Sequence, residues 1–226
     1  MSFIQEAHND IDASATTIVI TLAGVAAGST ITVFYGGSTA ASTDLTGVSD
    51  PSNGTYTILD RLAATGTAVG SFCKENVIGG SLTITAAYAT SVGFRRMYVR
   101  EDSAAASALD GHNAQVSTAF GSGTDAVTSP SITTTANGDT IIGYVEDDTS
   151  ATIPTIGTGF TGRAGWTNAA GDGHKVEDKA QSTAGAVAST YTNANATDQQ
   201  FVFVVALKAV AAASAGSLNQ FGQACL

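Results

Sequence analysis

The run Gln199-Gln200-Phe201-Val202-Phe203-Val204-Val205-Ala206-Leu207-Lys208 constrains this chain more than any other stretch. Aromatic and β-branched residues dominate it, which favours extended backbone over helix. It is too short to cross a membrane as a helix. Its residues are apolar at successive positions instead of alternating ones, so a strand made from it needs cover on both faces. The run therefore predicts a buried strand at the centre of the fold, with the other apolar segments as its partners.

Those other segments alternate. Ile18, Ile20 and Leu22 fall on one side of Thr17-Leu22, and Ile31, Val33 and Tyr35 on one side of Thr30-Tyr35. Leu82 and Ile84 do the same in Ser81-Ala86. This is the period-2 pattern of strands with one face inward. Asp50-Pro51-Ser52-Asn53-Gly54, Gly79-Gly80 and Asn137-Gly138-Asp139 are turn signals between them. Residues 1–12 read as a lead-in or first edge strand. Val92 to Arg100 carries Arg95, Arg96 and Arg100, so part of one of its faces has to be wet or paired. Val127 to Thr134 is broken at Pro130, which suits an edge or a bulge.

About a dozen short strands with regular turns, few strong helix formers, 25 glycines and 12% charged residues predict an all-β chain. The expected architecture is a two-sheet antiparallel β-sandwich, jelly-roll-like, over residues 1–208 as one domain. After Lys208 the texture becomes Ala/Ser-rich. Residues 209–226 read as a linker and extended C-terminal arm, with Leu218, Phe221 and Leu226 as apolar residues able to dock on a neighbouring subunit.

The totals also exclude classes. Net charge is −10, and the nine Lys and Arg residues are spread along the chain, which disfavours nucleic acid and anionic membranes as partners. Residues 1–10 have neither the basic nor the apolar region of a secretory signal, and no run reaches membrane-spanning length. Cys73 and Cys225 lie far apart and predict reduced thiols instead of a disulfide framework.

Several segments, taken in order, resemble a jelly-roll-like β-sandwich module found in phage virion proteins and bacterial surface proteins. They are Val48-Ser49-Asp50 with Asn53-Gly54-Thr55-Tyr56-Thr57, and Lys74-Glu75-Asn76-Val77-Ile78-Gly79-Gly80 running into Leu82-Thr83-Ile84-Thr85. Ser131-Ile132-Thr133-Thr134-Thr135-Ala136-Asn137-Gly138-Asp139, Glu177-Asp178-Lys179 and Phe203-Val204-Val205-Ala206-Leu207-Lys208 follow. The resemblance covers about residues 14–208, implies the fold, and carries no single activity and no site residue.

The chemical motifs are sparse. Gly157-Thr158-Gly159-Phe160-Thr161-Gly162 fits G-x-G-x-x-G, but Arg163-Ala164-Gly165-Trp166 is not a helix start, so it reads as a glycine turn. Glu146, Asp147 and Asp148 could meet Asp172, Glu177 or Asp178 around a hard cation, yet no calcium-loop spacing is present, and they read as a solvated acidic loop. His174 has no second His or Cys nearby and makes a weak zinc ligand. No G-x-S-x-G is present. Trp166 and Tyr191, with Tyr56 behind them, are candidates for stacking on sugars if exposed. No catalytic, cofactor or metal residues are expected.

The sequence thus predicts a non-enzymatic structural protein of a phage or phage-like virion, as a capsid decoration, spike-base or tail-fibre-associated subunit. It would be made in the host cytoplasm and partnered by other virion proteins and copies of itself. A glycan-binding adhesion module of a bacterial surface protein, meeting host-surface glycans, is the alternative, and a depolymerase fragment the third reading.

Overall fold

A computed structural model describes residues 2–103, 107–117, 125–148, 152–193 and 199–209. The fold is all-β, with antiparallel sheets packed face to face. In the first half of the chain β1 (Ser2–Ile11), β2 (Ala15–Val25), β3 (Thr30–Ser38), β4 (Leu45–Asp50), β5 (Gly54–Thr55), β6 (Thr57–Ala64) and β7 (Thr67–Lys74) gather around β8 (Gly80–Ser103). The second half holds β9 (Leu109–Ser117), β10 (Asp125–Thr128), β11 (Ile132–Thr133), β12 (Asp139–Asp147) and β13 (Thr155–Ile156). It continues with β14 (Thr161–Thr167), β15 (Gly173–Gln181), β16 (Ala186–Val187), β17 (Thr190–Asn193) and β18 (Gln200–Leu207).

β8 is 24 residues long and serves two layers. Its first part pairs with β2, from Val25↔Gly80 to Ala15↔Val92, and with β4, from Ser49↔Thr85 to Leu45↔Tyr88. Its second part pairs with β1, from Ile11↔Arg95 to Ser2↔Ser103, and with β3, which leads on to β7 and β6. The bend falls between these parts, at Phe94, whose φ of 46° is rare for a bulky side chain. The Phe94 N–H donates to the Asp12 carbonyl at 3.2 Å and fixes the corner. The sheet thereby folds over itself. Ile18, Ile20, Leu22, Ile31, Val33, Tyr35, Phe72, Ile84, Met97 and Val99 fill the space between its two leaves.

The inner leaf, β1-β8-β3-β7-β6, is covered on its other face as well. There it meets the sheet β14-β15-β12-β18-β9. Phe34, Val69 and Tyr98 pack against Ile142, Tyr144, Phe203, Val205 and Leu207 across that seam. The far face of the second sheet is in turn covered by two small sheets, β10-β17-β13 and β11-β16. Ile132 and Val187 bury Ile141, Val204 and Ala206, while Val127 and Tyr191 bury Val145 and Val202. Gly143 admits this cover: a Cβ there would lie 2.6 Å from both the Ser189 Cβ and the Tyr191 hydroxyl.

Every residue of β18 is buried, as its unbroken apolar run requires. It lies between β12 and β9, one strand in from an edge, and β12 holds the middle place. β1 is an edge strand, and β10 and β11 flank the break at Pro130. The segments 82–86 and 92–100, read in the sequence as separate strands, are one bent strand, because Ala87–Ser91 has no residue that stops the ladder. After β18 the Lys208 N–H donates to the Ala108 carbonyl at 2.6 Å and the Ala209 N–H to an Asp139 carboxylate oxygen at 3.1 Å. Leu218, Phe221 and Leu226 lie outside the described residues.

Val204 is fully buried beneath the small sheets. Val204→Asp places an unpaired charge there at a cost of several kcal/mol, on the order of the whole stability of a domain. The variant is expected to lose its cooperative melting transition, read by circular dichroism; a soluble protein that melts like the parent would contradict this placement of β18.

Candidate functional site

Alternation along the second part of β8 sorts its side chains. Met97 and Val99 turn to the core inside the folded sheet, while Arg96, Tyr98, Arg100 and Asp102 turn to the seam with the second sheet. Two buried arginines in that seam need partners, since an unpaired buried charge costs several kcal/mol. The second sheet provides them. Arg96 Nη2 pairs with Glu146 of β12, and Arg96 Nη1 lies 3.4 Å from Asp172. Arg100 binds Asp102 in fork geometry, with Nε and Nη2 each 2.7 Å from a carboxylate oxygen. Its Nη1 reaches Asp178 of β15 at 2.5 Å. Arg163 of β14 donates from Nε to the same Asp178 oxygen at 2.8 Å.

An aromatic stack continues the polar seam. Trp166 lies between His8 and His174, with ring centroids 4.5 Å and 4.6 Å away and the planes within 15°. The Tyr144 hydroxyl is 3.0 Å from His174 Nδ1 and 3.2 Å from Glu146 Oε2. Tyr98 donates to Glu6 at 2.5 Å. Burial raises the Glu146 carboxyl to about 7 against the pull of Arg96. Burial, then the charges of Arg96 and His8, holds His174 well below the usual histidine range, so it is neutral. Asp10 is raised by burial, with the Trp166 indole pulling the other way.

At one mouth of the seam, beside β1 and the β14 edge, lies a cleft of about 430 Å³ lined by Phe3, Arg100, Thr140, Thr161, Arg163 and Asp178 among others.

The seam gathers residues that the sequence scattered, and it revises several expectations. Glu146, Asp147 and Asp148 are not a solvated loop: all three are buried. Glu146 meets Arg96, Asp147 accepts from Asn193, and Asp148 accepts from Thr67 and Gln199. Glu177 turns to the face away from Glu146 and accepts the N–H groups of Gly157 and Thr190. Among the described residues no group of three or more His, Cys, Asp or Glu side chains is placed to hold a metal ion. Trp166 and Tyr191 cannot stack on a surface sugar. Trp166 is 8% exposed with both faces covered by imidazoles, and Tyr191 is 1% exposed under the small sheets. Tyr56 is buried and donates to Asp50 at 2.9 Å. Gly157-Gly162 forms a turn closed by Phe160 N–H to the Gly157 carbonyl, leading into β14 and not into a helix. Cys73 is buried and its thiol is pushed up to about 12 by burial, which makes it a poor nucleophile.

Glu6, His8 and Asp10 were missed, although their alternation with Gln5, Ala7 and Asn9 was a signal that one face of β1 is polar. No family, curated protein or solved structure matches the chain. Among the described residues no helix is long and apolar enough to cross a membrane.

Two outcomes follow. Arg96→Met leaves Glu146 and Asp172 facing each other in a dry seam, and should cost about 3–5 kcal/mol in urea unfolding; an unchanged midpoint would mean the seam is wet. For Glu177, burial outweighs the two backbone donors and raises the carboxyl to about 7, from an unfolded value of 4.5. Between those values the native state binds more protons than the unfolded chain, so this group makes stability fall as pH rises through the window. Glu177→Gln should remove that fall, on the order of 1 kcal/mol per pH unit, when urea midpoints of parent and variant are compared from acid to neutral pH.

Proposed function

We propose that this protein is a non-enzymatic building block of a phage or phage-like virion, a capsid decoration, spike-base or tail-fibre-associated subunit. The observation that carries the reading is the stack itself: two central sheets, each covered on both faces, joined by an apolar and ionic seam. Such a slab has few ways to deform, which suits a part that must repeat on a lattice.

Two further features support it. The outer leaf formed by β2, the first part of β8, β4 and β5 turns Thr17, Val19, Thr21, Ser81, Thr83, Thr46 and Ser49 outward, with no charged side chain on that face. A flat face of small neutral residues lets copies approach without removing charges from water. The chain also runs on past Ala209 into the Ala/Ser-rich segment with Leu218, Phe221 and Leu226. An apolar arm following a rigid slab is a means of joining neighbours. The resemblance to virion modules agrees with this role but does not define it.

Truncation after Ala209 tests the role of the arm. β18 and the exit hydrogen bonds of Lys208 and Ala209 are kept, so the shortened protein should melt as the parent does. Its self-association, measured by analytical ultracentrifugation across a concentration series, should fall. Equal assembly of both proteins would refute the arm as a joining element.

A further inference from the structure

We propose that the cleft between β1 and β14 binds a small polyol bearing an oxyanion: a sugar acid or a sugar phosphate. The proposal is independent of the building-block role, since the cleft lies within one copy of the chain.

The central element is Arg163. It sits on the edge strand β14, and its side chain is 27% exposed. Three contacts hold it. Nε donates to Asp178 at 2.8 Å, the guanidinium carbon lies 4.2 Å from the centre of the Phe3 ring, and its carbonyl accepts the Lys175 ammonium at 3.0 Å. The two terminal nitrogens of Arg163 make no hydrogen bond among the described residues. A guanidinium fixed at Nε and open at both Nη atoms presents the fork that matches a carboxylate or phosphate. Because the fork is already held, little side-chain entropy is lost on binding.

The surroundings agree. Arg100 lies behind Phe3, 4.9 Å from its centre, and its own donors are taken by Asp102 and Asp178. Paired in this way it does not compete for the ligand. Arg100 and Arg163 balance Asp102 and Asp178, so in a chain of net charge −10 this corner carries no negative excess. The Lys179 ammonium lies over the Phe160 ring at 4.3 Å, on the other face of β15 from Asp178, and takes no part in the charge of the cleft. Thr140 and Thr161 line the remaining wall and provide hydroxyls for a polyol body. The volume, about 430 Å³, is within the range of small-ligand sites and leaves room for one or two sugar rings.

The test is amide-resolved NMR of the full chain, titrated with glucuronate, glucose 6-phosphate and glucose at constant ionic strength. At least one of the two anions should give saturable shifts at Phe3, Thr161, Arg163 and Lys179, about tenfold or more tighter than glucose. Which anion binds identifies the source of the oxyanion. Arg163→Gln should weaken that binding at least about tenfold, a loss of roughly 1.4 kcal/mol, with its melting temperature near that of the parent. If Arg163→Gln does not fold, the parent titration alone decides through the position of the shifts. Glucose binding as tightly as the anions, shifts confined to residues outside the cleft, or no saturable shift with any of the three sugars overturns the proposal.

Discussion

The contact on which the rest depends is the pairing of Arg96 with Glu146 across the seam between the two central sheets. Both groups are fully buried. Neither sheet can slide over the other by one residue without separating these buried charges, which costs several kcal/mol. The second pair, Arg100 with Asp178, fixes the same relation four residues further along β8. Apolar contacts around Phe34 and Phe203 supply most of the attraction between the layers, and they tolerate many arrangements. The ion pairs select one of them.

This division of labour explains why the aromatic residues of the seam are ordered as they are. Phe34 stacks on Tyr144 at 4.7 Å, and Tyr144 carries its hydroxyl towards Glu146 and His174. Trp166 then extends the stack to His8 at the surface. The ring series passes from the centre of the seam to its rim, and the Tyr144 hydroxyl ties it to Glu146 and His174. Tyr and Trp suit this place because one end of each is apolar and the other polar.

The sequence made the layers legible where a single element decided the outcome. The run from Phe201 to Leu207 had no polar side to turn to water, so burial on both faces followed from its composition. Ile18, Ile20 and Leu22 alternated, and they line one core. The arginines of β8 required part of a face to be wet or paired, and Arg96 and Arg100 are paired with carboxylates. What was not legible was the identity of their partners. Asp172 and Asp178 lie more than seventy residues away, and nothing local distinguishes a carboxylate that will meet an arginine from one that will meet water. The same gap misled the reading of Glu146-Asp147-Asp148. Three successive acids look like a solvated loop, yet the strand continues through the first two, with Glu146 turned into the seam against Arg96 and Asp147 turned to Asn193 under the small sheets. Trp166 and Tyr191 failed for a related reason. Their cover comes from residues distant in sequence, His8 of β1 over Trp166 and Val127, Val145 and Val202 against Tyr191.

The burial of charge also changes what the net charge of −10 means. Among the described residues ten acidic side chains are buried, against three basic ones. Much of the negative excess therefore sits inside, carried by carboxyls that accept hydrogen bonds or, like Glu146 and Glu177, are raised towards neutrality by burial. The exterior is closer to neutral than the composition suggests. Self-repulsion between copies scales with the charge they present to one another, not with the charge they contain. A chain that hides its acids inside its own layers can carry them as internal pins and still pack face to face. The outer leaf around Thr21 and Thr83 is where that consequence is most complete, since its outward side chains carry no charge.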